Sequence, residues 1–138
     1  IQPGIRSDAV VSLIDIAPTI LSTCGAAVPS EYVGRDLTPA FGDGREFQDD
    51  AYRFAEHKPL GDWHKTVEFR LVVDDRYKYV WNRDDLDELY DLEHDPHELT
   101  NRINDAGYEE VRQRLQNRLT RWMQATGDPL LADFQEDV

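Results

Sequence analysis

Between residues 51 and 92, apolar and polar side chains alternate with a period of two, the pattern of half-buried strands. The runs cover 51–56, 67–73, 77–81 and, after a polar loop, 88–92. Asp74-Asp75 is a turn signal between the second and third runs, which makes them a hairpin. Four successive strands with short links predict an antiparallel meander with one buried face, and a helix is needed to cover it. Beyond Asp105 the period lengthens. Tyr108, Val111, Leu115, Leu119 and Trp122 share one side of a helix predicted over 108–125, with Arg112, Arg114, Arg118 and Arg121 mostly off that stripe. Gly127 and Pro129 end it. Asp95-Pro96-His97-Glu98 has the order of a capping box, with Asp95 as cap and Glu98 reaching back, and predicts a helical turn through Thr100.

The N-terminal part follows a different pattern. Residues 7–15 read as a short extended stretch. Asp15 then serves as an N-cap, Pro18 falls in the first helical turn, and Ile16, Ile20, Leu21 and Cys24 share a face before Gly25 stops the helix. On that face Cys24 is expected to be buried. Pro29, Gly34, Pro39, Gly42 and Gly44 punctuate 26–50, a long surface connection with a helical turn expected near 37–41. Ile1 to Gly4 read as a chain entered part-way, with Pro3-Gly4 as a turn.

The sequence has 138 residues, 28 acidic against 15 basic, and a formal net charge of -13. That balance excludes nucleic acid and anionic lipid as main partners, because phosphate binding requires concentrated positive charge. A 40% hydrophobic content is enough for a core, and no apolar run approaches the ~18–20 residues of a membrane-spanning helix. The single cysteine, Cys24, excludes an internal disulfide framework and any multi-cysteine zinc site.

Candidate chemistry is sparse. Asp84-Asp85-Leu86-Asp87-Glu88 is rich in carboxylates but lacks the glycine an EF-hand loop needs, so it reads as a solvated loop. His94 and His97 stand three apart, yet Asp95-Pro96 between them starts a new element, and no metal site is expected from that spacing. The first strand ends in Glu56-His57-Lys58 and leads into Pro59-Leu60-Gly61-Asp62-Trp63-His64. His57, Lys58, Trp63 and His64 are the candidates for lining a substrate cleft. The rival reading is a hydrated strand end with Trp63 packed on the sheet edge. There is no G-x-S-x-G elbow, no H-E-x-x-H and no Gly-rich phosphate loop, so no catalytic or metal-binding residue is assigned within the chain.

Two stretches carry a family resemblance. Val10-Val11-Ser12-Leu13-Ile14-Asp15-Ile16-Ala17-Pro18-Thr19-Ile20-Leu21, then Gly25, Pro29 and Gly34-Arg35-Asp36-Leu37, resemble the segment of type I sulfatases just beyond their catalytic core. Arg76-Tyr77-Lys78-Tyr79-Val80-Trp81-Asn82, then Glu88-Leu89-Tyr90-Asp91-Leu92-Glu93-His94-Asp95-Pro96-His97-Glu98-Leu99-Thr100-Asn101, are similar to their C-terminal subdomain.

The resemblance implies an α+β chain: a four-stranded antiparallel sheet packed against a C-terminal amphipathic helix, preceded by a strand–helix remnant of a larger α/β domain. Residues 1–46 would be the end of that alkaline-phosphatase-like domain with its connecting loop, and 47–138 the subdomain. It implies a parent enzyme that hydrolyses sulfate monoesters through a covalent sulfated intermediate. The parent would use calcium and a formylglycine made in a C-x-P-x-R-type motif. After Cys24 come Gly25, Ala26 and Ala27, so that motif is absent and the chain alone is expected to be inactive, with no cofactor of its own. The implied partners are a missing N-terminal catalytic domain and a sulfated small molecule or glycan; a homo-oligomer stays open. The tail of a phosphonate or phosphate monoester hydrolase, or a non-catalytic binding module, are the rivals. An exposed apolar face on the first helix would favour the enzyme tail over the module.

Overall fold

The computed structural model describes residues 9–41, 52–59 and 68–138. The chain divides into two compact units, Ile1–Arg53 and Phe54–Val138.

In the N-terminal unit the backbone is extended at Ser12, closes into a 3-10 turn over Leu13–Asp15 and continues as helix α1, Ile16–Thr23. Asp15 precedes α1 but does not cap it with its side chain. The buried carboxylate instead accepts from the Ser12 amide (2.9 Å), the Arg35 amide (2.8 Å) and Arg35 Nη2 (3.1 Å). Thr19 Oγ1 donates to the Asp15 carbonyl at 2.6 Å and accepts from the Leu37 amide at 3.0 Å. The segment from Gly34 to Leu37 is thereby strapped onto the Pro18–Thr19 side of α1. Gly34 is required there, because a Cβ would collide with the Ile14 carbonyl. The strap decides which side of the helix is buried. Pro18 and Thr19 are buried, while Ile16 and Ile20 stand outward and Cys24, expected to be buried, is exposed. Gly25 ends α1 at φ +70° as its position predicts, and the turn expected near 37–41 is a 3-10 turn at Thr38–Phe41.

The C-terminal unit is the meander the alternation predicts. Strands β1 (Arg53–His57), β2 (Phe69–Val73), β3 (Tyr77–Asn82) and β4 (Glu88–Asp91) lie side by side in chain order. In the β2–β3 hairpin Phe69 pairs with Asn82 and Val73 with Lys78. Asp74 closes the turn as expected: its Oδ1 accepts from the amides of Arg76 (2.9 Å) and Tyr77 (2.6 Å). The register places Arg70, Val72, Tyr79, Trp81 and Leu89 on one face, and all five are buried. Helix α2 (Glu109–Thr126) covers that face with Leu115, Leu119 and Met123. At the outer edge of β4 the Leu89 amide donates to Asn101 Oδ1 (3.0 Å) and its carbonyl accepts from the Arg102 amide (2.7 Å), which occupies an otherwise open strand edge.

Two features depart from expectation. The residues after Asp95 form a bend rather than a helical turn. Asp95 accepts from the amides of Leu99 (3.1 Å) and Thr100 (2.8 Å), but Glu98 takes a left-handed φ of 55° and its carboxylate meets Lys78 Nζ at 2.5 Å instead of reaching back. A helix cannot propagate through that residue. Conversely, a further helix that the pattern did not announce follows the expected stop of α2. Gly127 at φ +67° ends α2 with the Asp128 amide on the Met123 carbonyl (2.9 Å); Asp128 Oδ1 then accepts from the Leu130 amide (2.9 Å) and starts α3, Leu131–Asp137. Phe134 of α3 meets Trp81 edge to face at 5.4 Å, and Trp81 Nε1 donates to Asp137 at 3.0 Å. No helix among the described residues is long and apolar enough to cross a membrane.

Candidate functional site

Strand β1 carries the candidate site at its C-terminal end. Phe54 stacks on Trp122 of α2, with ring centroids 5.1 Å apart and planes 5° from parallel. His57 stacks on Phe69 of β2 at 5.4 Å, and Lys58, next in the chain, is exposed. His57 and Lys58 therefore stand together at a strand end. Trp63 and His64 lie outside the described residues.

The structure adds a group that sequence reasoning passed over. Arg70 is 3% exposed and forms a bidentate pair with Asp128, Nε to Oδ2 at 2.6 Å and Nη2 to Oδ1 at 3.1 Å. Its Nη1 donates to the carbonyls of Phe69 (2.9 Å) and His57 (3.4 Å). Glu56 and Glu68 approach to 3.8 and 3.7 Å, and Glu68 also meets Arg83 at 3.3 Å. Burial alone would pull the guanidinium pKa down; the hydrogen bond and charge of Asp128, with the fields of Glu56 and Glu68, more than offset it and raise it. Burial likewise opposes ionisation of Asp128, and the Arg70 and Leu130 hydrogen bonds overcome it, leaving that carboxyl below its ordinary value. The signal was present in the strand parity: Arg70 shares its face with Val72, and a charge at an inward position requires a buried partner.

A second cluster joins β4 to the turn after it. Arg76 donates to both oxygens of Asp91 (Nε at 3.1 Å, Nη2 at 2.8 Å) and reaches Glu93 at 2.9 Å. His94 Nδ1 lies 3.1 Å from the same Asp91. Asp91, Glu93 and His94 have the composition of a metal site, with ligand atoms within 4.8 Å of one another. The Arg76 guanidinium already occupies the carboxylates, so the arrangement reads as an ion-pair network. His97, the other member of the expected spacing, sits exposed in the following bend.

The Arg76 hydrogen bond, opposed by burial, holds the Asp91 carboxyl far below the ordinary 3.8. A depressed folded pKa contributes stability that is full above the unfolded value and is lost as pH falls through the folded one. Asp128 has the same sign. Asp87, raised chiefly by burial, has the opposite one. The C-terminal unit should therefore lose stability progressively as pH falls below about 4, and Asp91→Asn should flatten that part of a stability-against-pH curve measured by urea unfolding.

Comparison with known proteins identifies this architecture. The profile of the family described as N-sulphoglucosamine sulphohydrolase, C-terminal, matches residues 1–125. The chain belongs to that family. Its sulfatase relatives include an ulvan-active sulfatase of Formosa agariphila, 23% identical over 94% of this chain and 32% of that protein. A delta 4,5-hexuronate-2-O-sulfatase of Bacteroides thetaiotaomicron is 31% identical over 71% of this chain and 20% of its own length. A protein solved in complex with its substrate D-glucosamine-2-N,6-O-disulfate superposes on 94% of this chain and 27% of its own. Its TM-score is 0.82 at 23% identity, a likeness of fold. This sulfatase C-terminal portion thus spans about a fifth to a third of the relatives it matches.

Proposed function

We propose that the chain is the C-terminal part of an enzyme that hydrolyses sulfate monoesters on a saccharide. Residues 1–46 complete the catalytic domain and 47–138 form the subdomain at its substrate side. The observation that carries this reading is the face of the N-terminal unit that the strap leaves outward. Leu13, Ile14, Ile16 and Ile20 are each more than half exposed in a chain of net charge -13. Such a face on an acidic chain calls for a cover. A catalytic body is the cover we infer, supported by the chain's matching only 20–32% of these relatives' length.

A formylglycine would supply the nucleophile and calcium the charge that binds the sulfate group. The sequence around Cys24 does not fit the first, and no group among the described residues fits the second. Cys24 lacks the Pro and Arg of the modification motif, and the Asp91–Glu93 carboxylates are taken by Arg76. Both groups belong to the catalytic body in this reading. The chain's own contribution is recognition. His57 and Lys58 bring an imidazole and an ammonium together at the end of β1, groups suited to a sulfated sugar, and Trp63 and His64 follow them in the sequence. The relatives named for ulvan and for a hexuronate support a sulfated glycan as the substrate class.

Phosphonate monoester hydrolases share the fold and provide the second reading. The test is the substrate preference of the complete polypeptide. A higher kcat/KM for 4-nitrophenyl sulfate than for 4-nitrophenyl phenylphosphonate is expected. The reverse order would assign the chain to the phosphonate hydrolases.

A further inference from the structure

The Arg70–Asp128 pair is placed where stability alone gives little reason for it. Both side chains are almost fully buried, at 3% and 2% exposure, beside the apolar core formed by Val72, Tyr79 and Trp81. Desolvating two charges costs about as much as their attraction returns, so apolar side chains of similar size would hold the sheet to α2 equally well. What apolar side chains cannot do is hold backbone carbonyls. With Nε and Nη2 committed to Asp128, the planar guanidinium turns Nη1 onto the carbonyls of Phe69 and His57. Those are the two residues whose rings stack on one another.

Strand β1 is an edge strand of five residues. Its first half is fixed to α2 through Phe54 and Trp122. Its last residue is held by the ring stack on Phe69 and by Arg70. Asp128, in turn, is fixed by the end of α2 and the start of α3, so the clamp is anchored in rigid helices rather than in a loop.

We propose that Arg70, oriented by Asp128, is a positioning residue for substrate recognition: it fixes the backbone at His57 so that the imidazole and the neighbouring Lys58 ammonium keep one placement. The proposal rests on the reading of His57–Lys58 as substrate-facing. Arg70→Lys keeps the charge but loses the fork, and Asp128→Asn weakens the orientation of Arg70 while leaving an acceptor. In the 138-residue chain, amide exchange at Lys58 should become about tenfold faster in both variants, at unchanged circular dichroism. In the complete polypeptide, KM for a sulfated disaccharide prepared from heparin should rise about tenfold in Arg70→Lys, in Asp128→Asn and in His57→Ala, and the two clamp variants should keep kcat for 4-nitrophenyl sulfate within about twofold of wild type.

If His57→Ala leaves KM unchanged, the substrate-facing reading fails and the proposal with it. If His57→Ala raises KM but neither Arg70→Lys nor Asp128→Asn does, the positioning role alone is overturned. Loss of fold in both clamp variants would make the pair a structural strut and would equally overturn it.

Discussion

Leu119→Ala is expected to destabilise the C-terminal unit by about 2–5 kcal/mol. Leu115, Leu119 and Met123 are wholly buried on α2, against a sheet face on which Val72, Tyr79 and Leu89 are also wholly buried. A truncated side chain in the centre of that stripe leaves a cavity between a helix and a sheet. Each is held in register by other contacts, α2 by its capped end and the sheet by its ladder, so neither can collapse to fill it. The loss should be visible as a lower midpoint in urea unfolding followed by fluorescence of the buried Trp81. Leu86→Ala, at a position 58% exposed, should change stability by less than about 0.5 kcal/mol in the same experiment. A cost below about 1 kcal/mol at Leu119 would mean that α2 does not roof the sheet as described.

Asp15→Ala is expected to have a comparable effect on the N-terminal unit, about 3–5 kcal/mol. One buried carboxylate receives two backbone amides and a guanidinium, and these contacts join the turn before α1 to the strap twenty residues further on. Alanine would leave the amides of Ser12 and Arg35 without that acceptor in a site too enclosed for free hydration, and would strip the charge that faces Arg35. Asp15→Asn keeps an acceptor oxygen and should fall between wild type and alanine. Hydrogen exchange can localise the result: protection should drop in residues 10–37 while the β2–β3 ladder keeps its own. Loss of protection across both units, or in neither, would contradict this assignment of Asp15.

The parts of the fold that the sequence announced are those in which one periodicity holds over a whole element. The four strands, the Asp74 turn and α2 each repeat one pattern long enough to exclude the alternative. On β2 burial alternates as the period predicts, and on α2 Leu115 and Leu119 are buried as predicted, with Met123 rather than Trp122 completing the buried stripe. The parts that were not legible depend on contacts between residues far apart in the chain. Asp15 has the local features of an N-cap, but its partners at Arg35 are set by the strap. That same strap determines which side of α1 is buried, and so leaves Cys24 exposed against the expectation from its apolar neighbours. Asp95 begins a capping box, yet Lys78 on β3 captures Glu98 and the helical turn gives way to a bend. Gly127 and Pro129 mark the end of α2, but α3 behind them was not legible because it spans only seven residues, Leu131–Asp137, and is secured by Phe134 against Trp81.

The candidate site was legible only in outline. His57 and Lys58 are candidates because a histidine and a lysine close an alternating strand. The clamp behind them, Arg70 on Asp128, joins positions fifty-eight residues apart, and only the inward parity of Arg70 hinted at it. The apolar face of α1 was predicted from helical spacing. What could not be read was that it would face away from its own unit, the feature on which the proposed larger body rests.

The measurement that tests the central claim most directly is hydrolysis of 4-nitrophenyl sulfate, with calcium present, by the complete polypeptide and by the 138-residue chain under the same conditions. Saturable turnover by the complete polypeptide and none above background from the chain alone is the predicted result. Saturable turnover by the chain alone would contradict it, because the nucleophile and metal site would then have to lie among these residues.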